Sequence, residues 1–295
     1  MNEILEKIAT SEHIVVISHI NPDADSLGSA SAMYTFLLQN HKKVSWFCST
    51  KNINRKFLCI PWLEKIKDTF PKSAELAISL DCADKTRLGV EVECDLINID
   101  HHATNSLYGD LNLVEVEAIS TTEVLYNFFK TNGFKVNKKM ATALYAGLLD
   151  DSEAFLSPMV DGTTFAIVQE LIAQGADFKL CNRSIVKSVS LAALRLKAIM
   201  FKKMSLECDA RVALFCVSDE EMRASGAMPE DCENPLEESL NLGYVKVALL
   251  LRQNSDFTIK MGGGGHASRA GFELNDIVSL EEAKNKILIL IKKDL

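Results

Sequence analysis

The residues of this chain best suited to chemistry lie in two short stretches, His19-Ile20-Asn21-Pro22-Asp23-Ala24-Asp25-Ser26 and Asp100-His101-His102. Asp23 and Asp25 are two residues apart, so on near-extended backbone their carboxylates point the same way, with His19 reaching in from the residues before them. Asp81 ends a further apolar run, and Asp151 or Asp150 follows a helical pattern that can return to the same edge. Carboxylates brought this close repel strongly in a low-dielectric cleft unless cations sit among them. Two divalent metals resolve that repulsion. The mixed imidazole and carboxylate set suits Mn²⁺ best, and Mg²⁺, Co²⁺ or Zn²⁺ less well. Paired metals about 3.5–4 Å apart activate a water and steady the leaving oxygen in phosphoryl transfer, so hydrolysis of a phosphate ester is the expected reaction class. A lone Asp after a strand is more often a turn or cap residue, and His13 and His41 are read as packing or surface residues. The joint pattern outweighs that bland reading, because four of the six histidines fall inside three short motifs.

The elements that must position these groups are legible from periodicity. Residues 13–18 and 96–99 are apolar, β-branched runs directly before the two stretches, as are 76–80 before Asp81, which places all three at the C-terminal ends of buried strands. In an open α/β sheet that edge binds ligands. Residues 26–39 carry Leu27, Ala30, Tyr34, Leu37 and Leu38 at helical spacing, and 44–48 read as the next strand. Ser120-Thr121-Thr122-Glu123 fits a capping box opening a helix over 120–130, and 138–149 is a helix running into Asp150 and Asp151. Helical pattern covers 163–174, stops at Gly175 as a C-cap, and resumes from 178 to about 204. Beyond 206 the texture changes to strands at 211–217 and 245–251, a glycine run, and a closing helix over 279–293. The expectation is a doubly wound, mostly parallel α/β domain over 1–185, a helical linker over 186–206, and a smaller α/β domain over 207–295.

Composition supplies exclusions. The net charge of −8 argues against coating long duplex nucleic acid, which rests on clustered Lys and Arg. A local basic stretch does exist over 178–206 (Lys179, Arg183, Lys187, Arg195, Lys197, Lys202, Lys203), where a solvated helix face and a small-anion site are comparable readings. The eight cysteines are scattered, without a C-x-x-C pair, so neither a disulfide framework nor a zinc cluster is suggested. No apolar run reaches membrane-spanning length, and the opening MNEILEKIATSEH is acidic where a signal peptide would be basic. A soluble, cytoplasmic protein without a membrane partner is expected.

The motifs together resemble a known family. His19-x-x-x-Asp23-x-Asp25-Ser26-x-Gly28-Ser29, Asp81-Cys82-x-Asp84 with Arg87-x-Gly89, Asp100-His101-His102, and Gly147-Leu148-Leu149-Asp150-Asp151-Ser152 look like the four ordered motifs of the DHH phosphoesterases. The later Gly263-Gly264-Gly265-His266-Ala267-Ser268-Arg269-Ala270-Gly271 is similar to the signature of their C-terminal DHHA1 substrate domain. In length and spacing the chain is most similar to the bacterial bifunctional oligoribonuclease and 3′-phosphoadenosine 5′-phosphate (pAp) phosphatase branch, the nanoRNases. The resemblance implies that His19 and Asp23 hold one metal, that Asp25, His101 and Asp151 hold the other, and that Asp81 bridges them. It implies His102 facing the scissile phosphate, Asp100 orienting a neighbouring imidazole, and Gly263, Gly264, Gly265, His266, Arg269 and Arg87 contacting substrate. Glycines without Cβ let backbone N–H groups approach a phosphate closely. The implied partners are short single-stranded RNA or small nucleotides, with a homodimer left open.

Two departures bear on substrate range. The family's fourth motif usually ends T-D-T-G-x-F and a basic residue, whereas here Asp150 adds an acid and Leu156 takes the basic slot. Met261 is the only spacer between Lys260 and Gly262, where the family has about twenty residues, so Arg252, Lys260 and Arg269 become candidates for the missing anion contact. Rival readings are a cyclic or linear dinucleotide phosphodiesterase, a manganese-dependent pyrophosphatase or polyphosphatase, which the glycine and histidine signature disfavours, and a nucleotide-binding regulator without turnover.

Overall fold

In the computed structural model the run His-Ile-Val-Val-Ile-Ser forms a strand, β1 (His13–Ser18), buried along its whole length. Its alternating side chains serve two apolar layers. Ile14 and Val16 face the helices, and Val15 and Ile17 face the opposite side of the sheet. The description covers residues 2–253, 259–261, 273–274 and 280–291. The chain divides into two units, Met1–Ser188 and Val189–Leu295.

In the first unit, β1 pairs with β2 (Lys43–Phe47) and β4 (Leu76–Leu80), and β3 (Ile66–Lys67), β5 (Asp95–Asp100) and β6 (Leu111–Val114) complete a six-stranded sheet ordered β3-β2-β1-β4-β5-β6. Every pairing is parallel. This is the doubly wound order, and its direction of winding reverses between β1 and β4, where such folds open a ligand crevice. One face is covered by α1 (Asn2–Thr10), α2 (Ala24–Gln39), α3 (Thr121–Thr131), α4 (Lys138–Asp151) and α5 (Gly162–Ala173). The other carries Phe70, Ala74, Val90, Val92, Cys94 and Tyr108, none of which lies in an α-helix. Helix α2 approaches the backbone of α4 closely because it carries no side chain at Gly28: a Cβ there would lie 2.5 Å from the Ala143 carbonyl oxygen.

Three details differ from the sequence expectation. The strand at 111–114, only four residues long, and helix α1, which sets Ile4, Leu5 and Ile8 against the core, are not among the expected elements. The capping box is half formed: the Ser120 hydroxyl accepts the Glu123 amide (3.1 Å), but the Glu123 carboxylate takes the amide of Ile119 (3.0 Å) instead of Ser120. The helix expected over 178–204 is broken. A short α6 (Phe178–Cys181) widens into a π turn over Asn182–Val186, and the helix restarts at α7 (Leu191–Lys203). Ser188, Val189 and Ser190 explain the break, since serines compete for backbone hydrogen bonds and the Ser190 hydroxyl caps the new helix through the Ala193 amide (2.9 Å).

The second unit contains α7 and a mixed sheet ordered β11-β10-β9-β8-β7, with β7 (Ser205–Glu207), β8 (Val212–Val217), β9 (Val247–Gln253), β10 (Ile259–Met261) and β11 (Glu273–Leu274). Ala213, Phe215 and Val217 pack against Leu196 and Met200 of α7, while Val212 and Leu214 pack against Ile287 and Leu288 of the last helix, α10 (Leu280–Ile291). The stretch after β8, rich in Asp and Glu, forms α8 (Asp219–Ser225) and α9 (Glu233–Leu240). Their Glu221 and Glu238 pair with Lys203 and Lys197, which removes two members of the basic stretch from service to an anion. All eight cysteines are free thiols. Among the described residues no helix is long and apolar enough to cross a membrane.

Candidate metal centre

His19 follows β1, Asp81 follows β4, and Asp100, the last residue of β5, precedes His101 and His102, so three adjacent parallel strands deliver their polar ends to one edge. Asp151 arrives from the last turn of α4. The donors form three overlapping groups: His19, Asp23 and Asp81; Asp81, His101 and His102; and Asp25, His101 and Asp151, each with its ligand atoms within 4.8 Å of one another. Asp81 is shared by the first two groups, its Oδ2 lying 3.5 Å from His19 Nε2 and its Oδ1 3.7 Å from His101 Nε2. His101 Nε2 is also 3.2 Å from Asp151 Oδ2.

Asp23 and Asp25 do not point the same way as extended backbone would require. The chain turns into α2 between them, so Asp23 is the N-cap and Asp25 lies in the first turn, and they join different groups. One Asp23 oxygen accepts the Ser26 amide (2.9 Å) and the other faces His19 Nε2 (3.6 Å). Asp25 is fully buried and accepts the amides of Thr121 (2.7 Å) and Thr122 (3.0 Å) at the start of α3. Asp81 adopts a left-handed backbone (φ 58°), uncommon for a residue with a Cβ, and accepts the Thr121 hydroxyl (3.1 Å). The extra acid Asp150 takes the Ala24 amide at the start of α2 (3.0 Å), a capping role that leaves Asp151 beside His101.

The imidazoles are oriented from behind. His19 Nδ1 lies 2.8 Å from the Ile20 carbonyl and His101 Nδ1 3.1 Å from the Ala118 carbonyl. A carbonyl only accepts, so each Nδ1 presents a proton to it, and Nε2 is the edge that meets the carboxylates, donating to them until a cation takes the place of that proton. Asp100 orients His102, whose Nδ1–H it accepts at 2.8 Å, while its second oxygen accepts the Asn105 side-chain amide at 2.5 Å. Asn98 in turn donates to Asn105 (2.9 Å). The Arg87 guanidinium lies against His19, Nη2 3.0 Å from Nδ1, and the Arg87 carbonyl accepts the Ile20 amide (2.9 Å). Gly89 permits this turn: its φ is +71° and a Cβ there would strike the Ser49 side chain at 2.3 Å.

The electrostatics of the cluster ask for added positive charge. Burial, with repulsion from Asp81 and Asp151, lifts the Asp25 carboxyl well above the usual carboxylate range. Burial likewise pushes Asp151 up to about 7 against the pull of His101. Burial alone would lower His19 and His101, yet their carboxylate partners raise both to about 10. For Asp23 burial is the largest single influence and pushes upward, but the hydrogen bond and charge of His19, the Ser26 amide and the Arg87 charge together bring it down to about 2. Protons thus partly neutralise the acids here, and divalent cations neutralise such a set more completely. The mixed nitrogen and oxygen donors fit that class of ion.

Arg87 is the member of the expected substrate-contact set that falls among the described residues; Gly263, Gly264, Gly265, His266 and Arg269 lie outside them. Thr121, Thr122 and Asn105, unassigned from sequence, support the cluster directly. Thr121 and Thr122 read only as a helix start, and nothing in their spacing shows that their amides serve Asp25.

Residues 13–148 match the family model described as DHH family, N-terminal domain. A protein of Streptococcus mutans described as a probable bifunctional oligoribonuclease and PAP phosphatase is 26% identical, over 98% of this chain and 98% of its own length. An exopolyphosphatase-related protein from Bacteroides fragilis has the same fold, with a TM-score of 0.88 at 21% identity over 99% of this chain and 96% of that one. An exonuclease RecJ bound to manganese matches more loosely, with a TM-score of 0.58 at 12% identity over 100% of this chain and 93% of that one.

Proposed function

Since residues 13–148 form a DHH family N-terminal domain, we propose that this protein is a metal-dependent phosphoesterase acting on short oligoribonucleotides and pAp. The observation that carries the reading is the convergence of six donors, His19, Asp23, Asp25, Asp81, His101 and Asp151, in overlapping groups at the switch point of the sheet. His19 and Asp23 would hold one divalent ion, Asp25, His101 and Asp151 a second, with Asp81 between them. Mn²⁺ is the ion the donor set suits best; similar RecJ structures carry manganese in one case and magnesium in another, which supports a divalent ion. When bound, such ions acidify a water and draw charge from a phosphoryl oxygen.

The chain's own groups do the rest. Asp100 keeps the Nδ1 proton of His102 engaged, so that His102 offers its Nε2 edge to a phosphate oxygen or a departing alkoxide. Arg87, beside His19, supplies a fixed cation for a non-bridging oxygen. Leu156, 82% exposed in the slot that the resemblance gives to a basic residue, adds no charge, so recognition of distal phosphate falls to residues 207–295 as a DHHA1-type substrate domain. The substrate class follows the Streptococcus mutans relative, whose name states both activities.

The test is a panel of pAp, di- to pentaribonucleotides, cyclic dinucleotides and pyrophosphate, each with Mn²⁺ and with excess chelator. Mn²⁺-dependent release of mononucleotides and of phosphate from pAp is expected, with none under chelation. Preferential cleavage of pyrophosphate or cyclic dinucleotides would move the chain to a rival activity. Binding without turnover would make it a regulator.

A further inference from the structure

The first turn of α3 supplies no ligand in the proposal above, yet it holds two of the six proposed ligands. Its first two amides, Thr121 and Thr122, donate to Asp25 Oδ2 and Oδ1 at 2.7 and 3.0 Å. The Thr121 hydroxyl donates to Asp81 Oδ1 at 3.1 Å. Thr121 is fully buried, and Thr122 is 1% exposed. The Ser120 hydroxyl caps the Glu123 amide, so the helix end is satisfied without any need for the Thr121 side chain. That hydroxyl is therefore surplus to the helix and is directed at the carboxylate shared between the two donor groups.

Its position has a specific consequence for Asp81. The two Asp81 oxygens serve different neighbours, Oδ2 toward His19 and Oδ1 toward His101. A carboxylate can bridge two ions only while its plane is fixed so that each oxygen meets its own ion. The left-handed backbone at Asp81 sets where the side chain starts, and the hydroxyl bond to Oδ1 sets how the carboxylate is rotated. The same residue's amide fixes Asp25. We propose that Thr121 is a positioning residue for the two-metal site, its hydroxyl locking the rotation of Asp81 and so coupling the two ions. This rests on the two-metal reading of the site.

The experiment compares Thr121→Val, Thr121→Ser and Thr121→Ala with the parent protein by calorimetric Mn²⁺ titration of chelator-treated protein. Electron paramagnetic resonance at two equivalents of Mn²⁺ then reports whether the ions share a ligand. The parent is expected to bind two Mn²⁺ with an exchange-coupled spectrum. Thr121→Val and Thr121→Ala should bind Mn²⁺ about ten- to a hundred-fold more weakly and show the six-line signal of isolated ions. Thr121→Ser keeps the oxygen and should keep both the affinity and the coupling. The Ser and Ala variants lose the same methyl, so a difference between them reports the hydroxyl even if the Val variant folds poorly. A parent that binds no Mn²⁺ pair overturns the two-metal reading itself. A parent that binds a coupled pair, with Ala and Ser variants indistinguishable from each other, overturns the role given to Thr121 alone.

Discussion

Gly147 offers the sharpest test of how tightly the site is built into the helices. A Cβ at that position would lie 2.4 Å from Thr122 Cγ2 and 2.6 Å from Asp25 Oδ1. Carbon–carbon contacts are normally about 3.5–4.0 Å, so Gly147→Ala creates an overlap of roughly 1 Å. Neither neighbour has room to yield, since Asp25 and Thr122 are buried and bonded to each other, the Thr122 amide donating to Asp25 Oδ1 at 3.0 Å. Overpacking of this kind costs about 1–3 kcal/mol. Weakening a hydrogen bond to a carboxylate adds about 1.5–3 kcal/mol. The better helix propensity of Ala returns about 1 kcal/mol, leaving a net destabilisation of about 1.5–5 kcal/mol. At about 2–4 °C per kcal/mol for a unit of this size, the melting temperature of the chelated protein should fall by roughly 3–20 °C. Circular dichroism melts measure this, and Mn²⁺ affinity should fall with it because Asp25 is displaced. Gly162→Ala is the control, as nothing lies within 4 Å of a Cβ there, and it should leave stability unchanged or raise it by about 0.4–1 kcal/mol. A Gly147→Ala protein melting within about 2 °C of the parent, less than the shift of 1 kcal/mol, with parental Mn²⁺ affinity, would refute the packing argument.

Three further outcomes are expected. Asp100→Asn keeps the size but sets an amide donor against His102 or Asn105, and should lower kcat about a hundred-fold or more while Mn²⁺ affinity changes little; unchanged kcat on pAp would remove His102 from the chemistry. Mn²⁺ at about 100 times its Kd should add about 2.7 kcal/mol of stability, a rise of roughly 5–11 °C in Tm that excess chelator reverses, and a melting curve blind to Mn²⁺ would contradict the centre. Burial, with the Lys43 ammonium nearby, holds His13 below the usual imidazole range, between Ser45 and Ser73. The unfolded chain therefore takes up a proton at about 6.5 that the folded one refuses, so this part of stability is complete above that pH and declines as pH falls below it toward the lowered folded value. The difference in urea midpoint between the parent and His13→Gln should accordingly narrow from pH 7.5 to pH 5.5, and a constant difference would count against it.

The parts of this molecule that are legible in the sequence are those in which side-chain identity is itself the chemistry. The run His13–Ser18 buries both faces and reads as a central parallel strand, which is what it forms. His19, Asp81 and Asp100-His101-His102 follow such runs, and the strands place them at one edge. The legible part ends where backbone direction changes within a motif. Asp23 and Asp25 look equivalent by spacing, but the helix starts between them and sends them to different donor groups. It ends again where long-range contacts decide. The Asp150 carboxylate caps a helix that begins 126 residues earlier in the chain, and no local pattern announces that pairing.

Backbone donors are the least legible of all, and here they carry much of the site. Asp23 gives one oxygen to the Ser26 amide, and Asp25 accepts two amides from α3. Asp100 divides its oxygens between His102 and Asn105. Each of these carboxylates is thus both a fastening of the fold and a member of the polar cluster. Replacing one by Ala leaves buried amides without acceptors and removes a ligand or orienting group in the same step, so loss of activity alone cannot assign its role. Replacement by Asn keeps an acceptor for an amide while lowering the charge. For Asp25, whose two oxygens both accept amides, one contact survives and one becomes donor against donor. Asp25→Asn should therefore lose Mn²⁺ affinity and some stability together, whereas Asp23→Asn, with a single amide to satisfy, should lose Mn²⁺ affinity with little change in the melting of the chelated protein. Equal destabilisation by both would mean that the amide contacts do not distinguish the two aspartates.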